Sequence, residues 1–569
     1  MKLDDLLRQI GEFGPYQLRL YLLSAVPTAL VAAEALSVIF IFFIPDHRCA
    51  IPWIRNDAYS VNSGDQNSLV NLSIPYTEGT WDSCHEYNDV IHIDDVSGIT
   101  DVMPRTNRSQ SNCNRWVFDR SIFRSTVATD FNVVCDRSIL RAESNVVSEL
   151  GTVFGMLVCG ILADRFGRKL TFVLSSLVLF AGGIGIAFVK SLGTLNICRF
   201  ILGFARQSTY INGMVLGMEV LGPSKRAFAG MVICLLWCLG EFYLTFVAYF
   251  IRNWRYLEIA VSVPGIFLLS YWWLLPESPR WLISRGRDKE AMAVLQKIAD
   301  SNKTPMPPIG DTKQLLEKDP QISLRHVFRS RELMKRLLIV ALNIFVNVLV
   351  YYGVALNITN LSGDIFVNSA ITYALEGLAC GIALIVLGRV GRKPVYIATL
   401  LAGGVCCVLS VVPIMLGASA WVVTGLSMVG RFFIAISFAV IVIYGAELFS
   451  TFVRASAIGT CISFARLANL LSPYLADLAL LVDSELKDAL PLMVMGAPAI
   501  LAALLALLLP ETRGVNLPET VQDLETGIRS CCCREQEETS CPETTEREVE
   551  DPLTKAGRCD DIHVSTSVL

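Results

Sequence analysis

The chain has 569 residues, 53% of them hydrophobic and only 18% charged, with a formal net charge of −4. A soluble chain of this length would divide into several domains with charged surfaces; here the apolar residues are gathered into long runs, which marks bilayer spans. No long basic block points to nucleic acid, and all five histidines (His47, His85, His92, His326, His563) fall outside the apolar runs, which argues against a histidine proton relay or metal site within the membrane.

Residues 1–17 are polar, helix-compatible and expected to stay in the cytoplasm. The apolar run that follows is too long for a signal-peptide core and lacks a small-residue cleavage site, so it reads as a retained first span. Stretches of roughly 18–25 apolar residues, enough for a ~30 Å hydrocarbon core, lie near 18–44, 142–163, 170–189, 195–221, 229–251 and 257–275. Six more lie near 337–357, 366–388, 394–416, 420–446, 455–482 and 489–510. Backbone groups in lipid must bond within their own segment, so the expectation is an all-α membrane protein of twelve transmembrane helices. Two six-helix halves, 18–275 and 337–510, are joined by a charged, partly helical cytoplasmic segment, 276–336. An even number of spans puts both termini on one side. Arg165, Arg168 and Lys169, Lys225 and Arg226, and Arg389, Arg392 and Lys393 mark the basic connections, which the positive-inside rule places in the cytoplasm.

Between spans one and two, residues 45–141 are then extracellular. They hold Cys49, Cys84, Cys113 and Cys135, an even number in an oxidising compartment, so two disulfides are expected, with three pairings open. The sequons at Asn71 and Asn107 suit glycosylation on an exposed loop. The halves echo each other as well. Asp164-Arg165-Phe166-Gly167-Arg168-Lys169 follows span two and Gly388-Arg389-Val390-Gly391-Arg392-Lys393 follows span eight; Pro276-Glu277-Ser278 ends the first six spans and Pro510-Glu511-Thr512 the last six. Duplication is a common plan of secondary transporters, with substrate held between the repeats. In each copy glycine permits a tight turn, and the arginines can pair with acids or helix C-termini in one conformation and release them in another.

With these motifs stand Gly11-Glu12-Phe13-Gly14-Pro15-Tyr16-Gln17, Pro45-Asp46-His47-Arg48-Cys49, Asn132-Val133-Val134-Cys135, Pro276-Glu277-Ser278-Pro279-Arg280-Trp281-Leu282 and Ala446-Glu447-Leu448-Phe449-Ser450-Thr451-Phe452-Val453-Arg454. Up to about residue 525 the chain resembles the major facilitator superfamily, and within it the organic cation, carnitine and organic anion transporter family, its four outer cysteines looking most like the carnitine branch. That resemblance implies movement of small organic ions across the plasma membrane by alternating access. It also implies gating roles for Asp164, Arg165, Gly167, Arg168, Lys169, Arg389, Gly391, Arg392, Lys393, Glu447 and Arg454.

Ionisable groups at membrane depth are costly and are functional candidates by default. Glu34, Glu149, Glu241 and Glu376 are the acids, and Arg199, Arg206 and Arg466 the bases. The resemblance implies an acidic residue at the span-eleven position in cation-selective members and a basic one in carnitine-like and anion members. Arg466 stands there, a donor fork suited to a carboxylate; alternatively, Glu34 or Glu376 neutralises it and the pair holds the halves together. Glu34 departs from the neutral residue expected in the carnitine branch. Glu376 resembles a shared span-eight acid and is the better cation-site candidate. Arg206 replaces a polar neutral residue, which puts sodium coupling in doubt, and Arg199 reads as structural or gating. Among the aromatics able to cradle a quaternary ammonium (Tyr351, Tyr352, Tyr243, Trp237, Tyr444), Tyr352 and Tyr444 are the preferred two.

Residues 511–569 form a cytoplasmic tail, acidic and expected to be mostly disordered. Cys531-Cys532-Cys533 are palmitoylation candidates, and the closing Ser567-Val568-Leu569 suits capture by a PDZ domain through strand addition. The partners expected are thus a small organic ion, the bilayer and a PDZ protein, with no nucleic acid. No Walker loop, metal cluster or nucleophile–base motif supports an enzyme, and no cofactor is expected. The leading reading is a carrier of organic cations or zwitterions; an organic anion carrier and a receptor of the same fold are the alternatives.

Overall fold

The computed structural model describes residues 3–51, 57–61, 64–77, 80–88, 109–308, 331–449, 451–478 and 490–513, all within one compact unit, Met1–Leu517. Helices cover each of the apolar runs. They are α1 (Pro15–Ile41), α2 (Ile139–Phe166), α3 (Arg168–Ile186), α4 (Leu192–Glu219), α5 (Arg226–Phe250) and α6 (Trp254–Leu274), then α7 (Arg331–Leu356), α8 (Ile365–Arg389), α9 (Arg392–Met415), α10 (Ala420–Glu447), α11 (Thr451–Ala476) and α12 (Leu490–Ala506). Among the described residues nine helices are long and apolar enough to cross a membrane. The other three are α4 and α11, which carry Arg199, Arg206 and Arg466, and α12, which has 17 residues. Two irregularities lie at prolines. In α1 the helical pattern breaks at Val26, before Pro27, and in α6 it tightens to 3₁₀ geometry over Val263–Ser270, which contains Pro264; proline removes a donor from the ladder.

Within the first six helices α4 packs on α2 and α3, and within the last six α9 packs on α10 and α12 while α7 packs on α11. The α2–α4 approach depends on small residues. A Cβ on Gly151 or Gly203 would run into the backbone carbonyl of Phe200 or Ser148, so these glycines let the two backbones touch, as in other membrane helix pairs. Among the described residues, the most extensive contacts between the halves are α5 with α8 and α2 with α11.

The segment between α1 and α2 emerges at one end of the bundle, here the loop end. It carries strands β1 (His47–Cys49), β2 (Tyr76–Thr77), β3 (Thr80–Trp81), β4 (His85–Tyr87), β5 (Gln110–Asn112) and β6 (Trp116–Phe118). They form three two-stranded antiparallel ribbons, β1 with β6, β2 with β3 and β4 with β5. Cys49 is joined to Cys113 and Cys84 to Cys135, and Cys49 and Cys113 share a small core with Ile51, Val70 and Ile74. Arg48 is fully buried in a bidentate pair with Asp57. Asn71 sits not in an open loop but in a helix, Gly64–Ser73, half-buried, its carboxamide oxygen accepting from Trp81 Nε1 at 2.7 Å. Asn107 and the C-terminal tail lie outside the described residues.

If this segment is extracellular, glycosidase should shift the mobility of the wild type but not of an Asn71→Gln/Asn107→Gln variant. Loss of a native disulfide from a small domain costs about 2–5 kcal/mol. Single Cys→Ser changes at Cys49, Cys84, Cys113 or Cys135 should therefore reduce delivery to the cell surface more than transport per delivered molecule. Four freely alkylatable thiols in protein from the cell surface would contradict the pairing.

At the opposite end, the motif end, a short amphipathic helix, Leu3–Gln9, buries Leu3, Leu6 and Leu7 against Trp281, Leu295 and Ile298 from the segment after α6. Asp4 bonds Arg226 at 2.7 Å and Arg280 at 2.9 Å. Partial burial works against its charge, but the two guanidiniums prevail and hold its pKa below the ordinary carboxylate value.

Candidate functional site

Among the described residues, three mid-bundle carboxylates, Glu34, Glu149 and Glu376, and three arginines, Arg199, Arg206 and Arg431, sort into groups that spacing alone did not reveal. In the first half, Arg206 of α4 donates to Glu149 of α2 at 2.7 Å, to Thr152 at 2.9 Å and to Glu34 of α1 at 3.3 Å. Glu149 also accepts from Asn469 of α11 at 3.2 Å, a bond that crosses between the halves. Arg199 donates to Asn145 at 2.9 Å and lies over the Phe42 ring at 4.9 Å. In the second half, Arg431 of α10 donates to Glu376 at 2.7 Å and to the Tyr351 carbonyl at 2.9 Å, while the Tyr351 hydroxyl bonds the other Glu376 oxygen.

Glu376 is therefore not a free cation site. Its charge is held by Arg431, a residue the sequence reading passed over although it lies inside an apolar run and met the same criterion as the others. Glu34 and Glu376 are both engaged by other arginines, so neither neutralises Arg466. Arg466 has no hydrogen-bond or ion-pair partner among the described residues, and its Nε is buried. Its charge is felt by Tyr352 and Tyr210. Tyr352, Glu149, Arg206 and Asn469 line a cavity of about 30 Å³ between the halves. That volume admits about a water molecule and no organic ion, so this conformation is contracted around the site.

Tyr444 does not belong here. It is fully buried near the motif end, and its hydroxyl donates to the Pro510 carbonyl at 2.6 Å. Its aromatic character had suggested a cation cradle, but its position near the end of α10 makes it a packing residue. Glu258 of α6, fully buried, and Asp477, just past the end of α11, were also missed. Asp477 pairs with Arg141 of α2 at 2.8 Å, both buried, and closes the halves together at the loop end. Beside that contact Phe366 of α8 stacks on Phe40 of α1 at 5.8 Å and meets Phe123 at 5.5 Å.

The duplicated loops are alike down to single bonds. Arg168 reaches Glu219 at 2.9 Å and Asp164 at 3.1 Å; Arg392 reaches Glu447 at 3.2 Å. The Glu277 carboxylate accepts the backbone N–H groups of Arg168 and Lys169, and Glu511 accepts those of Arg392 and Lys393, each at a helix N-terminus where a carboxylate is favoured. Ser278 donates to Glu219, and Thr512 to Glu447 at 2.6 Å. Gly167 has φ +110°, which a side chain would strain; Gly391 has φ −61° and needs to be glycine for room, because a Cβ would meet the Glu511 carboxylate. Other motif residues are less engaged. Arg165 lies over Phe166, Lys169 over Trp272, Lys393 donates to the Leu507 carbonyl, Arg454 donates to the Phe449 carbonyl, and Arg389 is exposed.

Each named ion pair in these loops joins residues of one half, so its loss should loosen the lever and spare the site. Arg168→Ala or Arg392→Ala is expected to slow translocation about tenfold, equivalent to one charge-assisted hydrogen bond, with substrate binding unchanged. Weakened binding at an unchanged translocation rate would contradict this.

A family described as "Sugar (and other) transporter" matches residues 136–524. Similar proteins include the "Organic cation transporter protein" of Drosophila melanogaster, 33% identical, with 92% of this chain and 95% of that protein covered. "Solute carrier family 22 member 13" of Homo sapiens is 34% identical, covering 92% and 93%. "Organic cation/carnitine transporter 2" of Homo sapiens is 31% identical over the same shares. Among solved structures, the partially occluded inward open conformation of the xylose transporter XylE from E. coli superposes with a TM-score of 0.57 at 17% identity, covering 88% of this chain and 100% of that one. At that identity the likeness is of fold alone.

Proposed function

The chain belongs to the major facilitator superfamily of sugar and other transporters, within the organic cation/carnitine transporter family, and is a multi-pass membrane transporter and not an enzyme; on that premise we propose that it carries small organic zwitterions or cations, of the carnitine type, by alternating access. The observation that supports this is the arrangement of charge around Tyr352. In the first half one guanidinium, Arg206, is shared by two carboxylates, Glu34 and Glu149. On α11 of the second half, Arg466 has no anion among the described residues. A quaternary ammonium joined to a carboxylate complements both at once: Arg466 binds the carboxylate through its planar fork, and the Glu34–Glu149 pair with the Tyr352 ring receives the cation. A relative bearing carnitine in its name is consistent with that chemistry.

In this reading the twelve helices span the plasma membrane as two halves of six, 18–275 and 337–510, with both termini and the motif end in the cytoplasm. The segment between α1 and α2 is then extracellular, and the C-terminal tail is open to a PDZ protein. Two other readings make different forecasts. An organic anion carrier, favoured by Arg206 and Arg466, would take up an aromatic anion, and a receptor would bind without accumulation. The deciding experiment is uptake of labelled tetraethylammonium, carnitine and an aromatic anion into proteoliposomes, with and without sodium. Carnitine accumulation above tetraethylammonium supports the proposal; accumulation of the anion alone, or binding without accumulation, overturns it.

A further inference from the structure

Among the described residues, two polar side-chain contacts tie α2 of the first half to α11 of the second. At the loop end Arg141 pairs with Asp477, just past α11, at 2.8 Å. Beside the cavity Asn469 Nδ2 donates to Glu149 Oε2 at 3.2 Å. The spacings match. Arg141 and Glu149 stand eight positions apart, as do Asn469 and Asp477, about 12 Å along each helix, and the two segments run antiparallel. The loop end and the site are thus closed by the same pair of segments.

Asn469 is the anomaly of the inner contact. It is buried, and its Oδ1 has no partner among the described residues, which costs free energy. Its donor goes to a carboxylate whose other oxygen is already held by Arg206 at 2.7 Å. The backbone beneath is loosened as well. Pro473 has no N–H to give the Asn469 carbonyl, and Ser472 Oγ donates to that carbonyl instead, at 3.2 Å. A helical turn closed by a side chain, at a proline, yields more easily than an unbroken one.

We propose that Asn469 holds, in the empty carrier, the place before Glu149 that the cationic end of the substrate takes, and that its displacement unlocks the loop end. The inference deepens the transport reading and rests on it. An amide N–H offers Glu149 a partial positive charge and an ammonium offers a whole one, so the solute displaces the carboxamide. The Asn469–Glu149 bond stabilises the closed arrangement alone. A solute that replaces it leaves only Arg141–Asp477 of the two contacts, and occupancy shifts the equilibrium toward opening by the worth of the lost bond, the differential interaction that any ligand-driven change requires. Asn469 is in this sense a positioning residue of the gate, one turn from Arg466 on the same helix.

The first arm of the test needs no substrate. Ile358→Cys places a thiol at a buried loop-end position, next in sequence to Thr359, which accepts from Arg141, and outside the cavity lining. Its rate of labelling by a water-soluble maleimide, resolved by peptide mass spectrometry on the full-length chain in detergent micelles, reads opening of that end. Asn469→Leu removes the donor at nearly constant volume and should raise the rate about tenfold, the worth of one hydrogen bond to a charged group. Native Cys407, fully buried within the second half, should label as before. Should leucine prevent folding, Asn469→Ala removes the same donor. In the second arm, saturating carnitine should speed labelling in the chain that keeps Asn469 and not in Asn469→Leu. An unchanged rate at Ile358→Cys, or an equal rise at Cys407, would make Asn469 a structural residue and overturn the proposal. Bound carnitine that leaves the rate unchanged would overturn it too. Carnitine that does not bind refutes the substrate assignment instead, and the first arm then decides the role of Asn469.

Discussion

Arg466→Asp is expected to cut carnitine uptake by about tenfold or more, the worth of a charge-assisted bond to the substrate carboxylate, while tetraethylammonium uptake falls far less. The selectivity of the loss follows from the geometry. No described carboxylate depends on Arg466, so its replacement orphans no buried anion, and the variant should reach the membrane in normal amounts. A new carboxylate at this position also adds to Glu34 and Glu149 near Tyr352, which repels the carboxylate end of a zwitterion and attracts a simple cation. Arg466→Lys keeps the charge but loses the planar fork and should fall between wild type and Arg466→Asp. The measurement is initial uptake of both substrates normalised to surface protein; equal loss of both would make Arg466 a structural residue.

Arg431→Met should be the most destabilising single change considered. It leaves Glu376 buried, with the Glu241 carboxylate close by and no guanidinium between them. Removing one partner of a buried pair costs about 3–5 kcal/mol, whereas replacing both partners by neutral residues of similar volume is often tolerated. The second change therefore tests the first: Arg431→Met/Glu376→Gln should recover most of the thermal stability in detergent that Arg431→Met loses. A single variant that melts with the wild type, or a double variant no better than the single, would show that the pair does not hold the second half together. Uptake by the folded double variant then reports whether Glu376 has any further part in transport.

These two arginines also show how far the sequence could be read. The helices were legible because long apolar runs have one solution in lipid, and the loops because their motif occurs twice. The pairings were not. Glu34 and Glu376 were both plausible partners for Arg466, since sequence distance says nothing about which helices meet across a bundle. Only the packing of α1 and α2 against α4 gives Glu34 to Arg206, and only that of α8 against α10 gives Glu376 to Arg431. Arg431 itself was legible by the same criterion as Arg199, Arg206 and Arg466, one cation in an apolar run, and was passed over. Tyr444 misled for a different reason: an aromatic near a helix end gives no sign of depth until its hydroxyl is seen to meet Pro510.

The closure at the loop end bears on how the two faces of the membrane see the carrier. The Arg141–Asp477 pair and the stack on Phe366 hold the halves together there, and both contacts must be lost for a solute to enter from that side. Where that latch keeps conformers open to that side a minority, a ligand's apparent dissociation constant there is its intrinsic value divided by the fraction of molecules able to receive it. With one carrier in about a hundred open at the loop end, a solute would bind from that side about a hundredfold more weakly than its contacts in the site allow. A carrier with a single site can in this way present unequal affinities to the two compartments, set by a latch remote from the solute and not by anything that touches it.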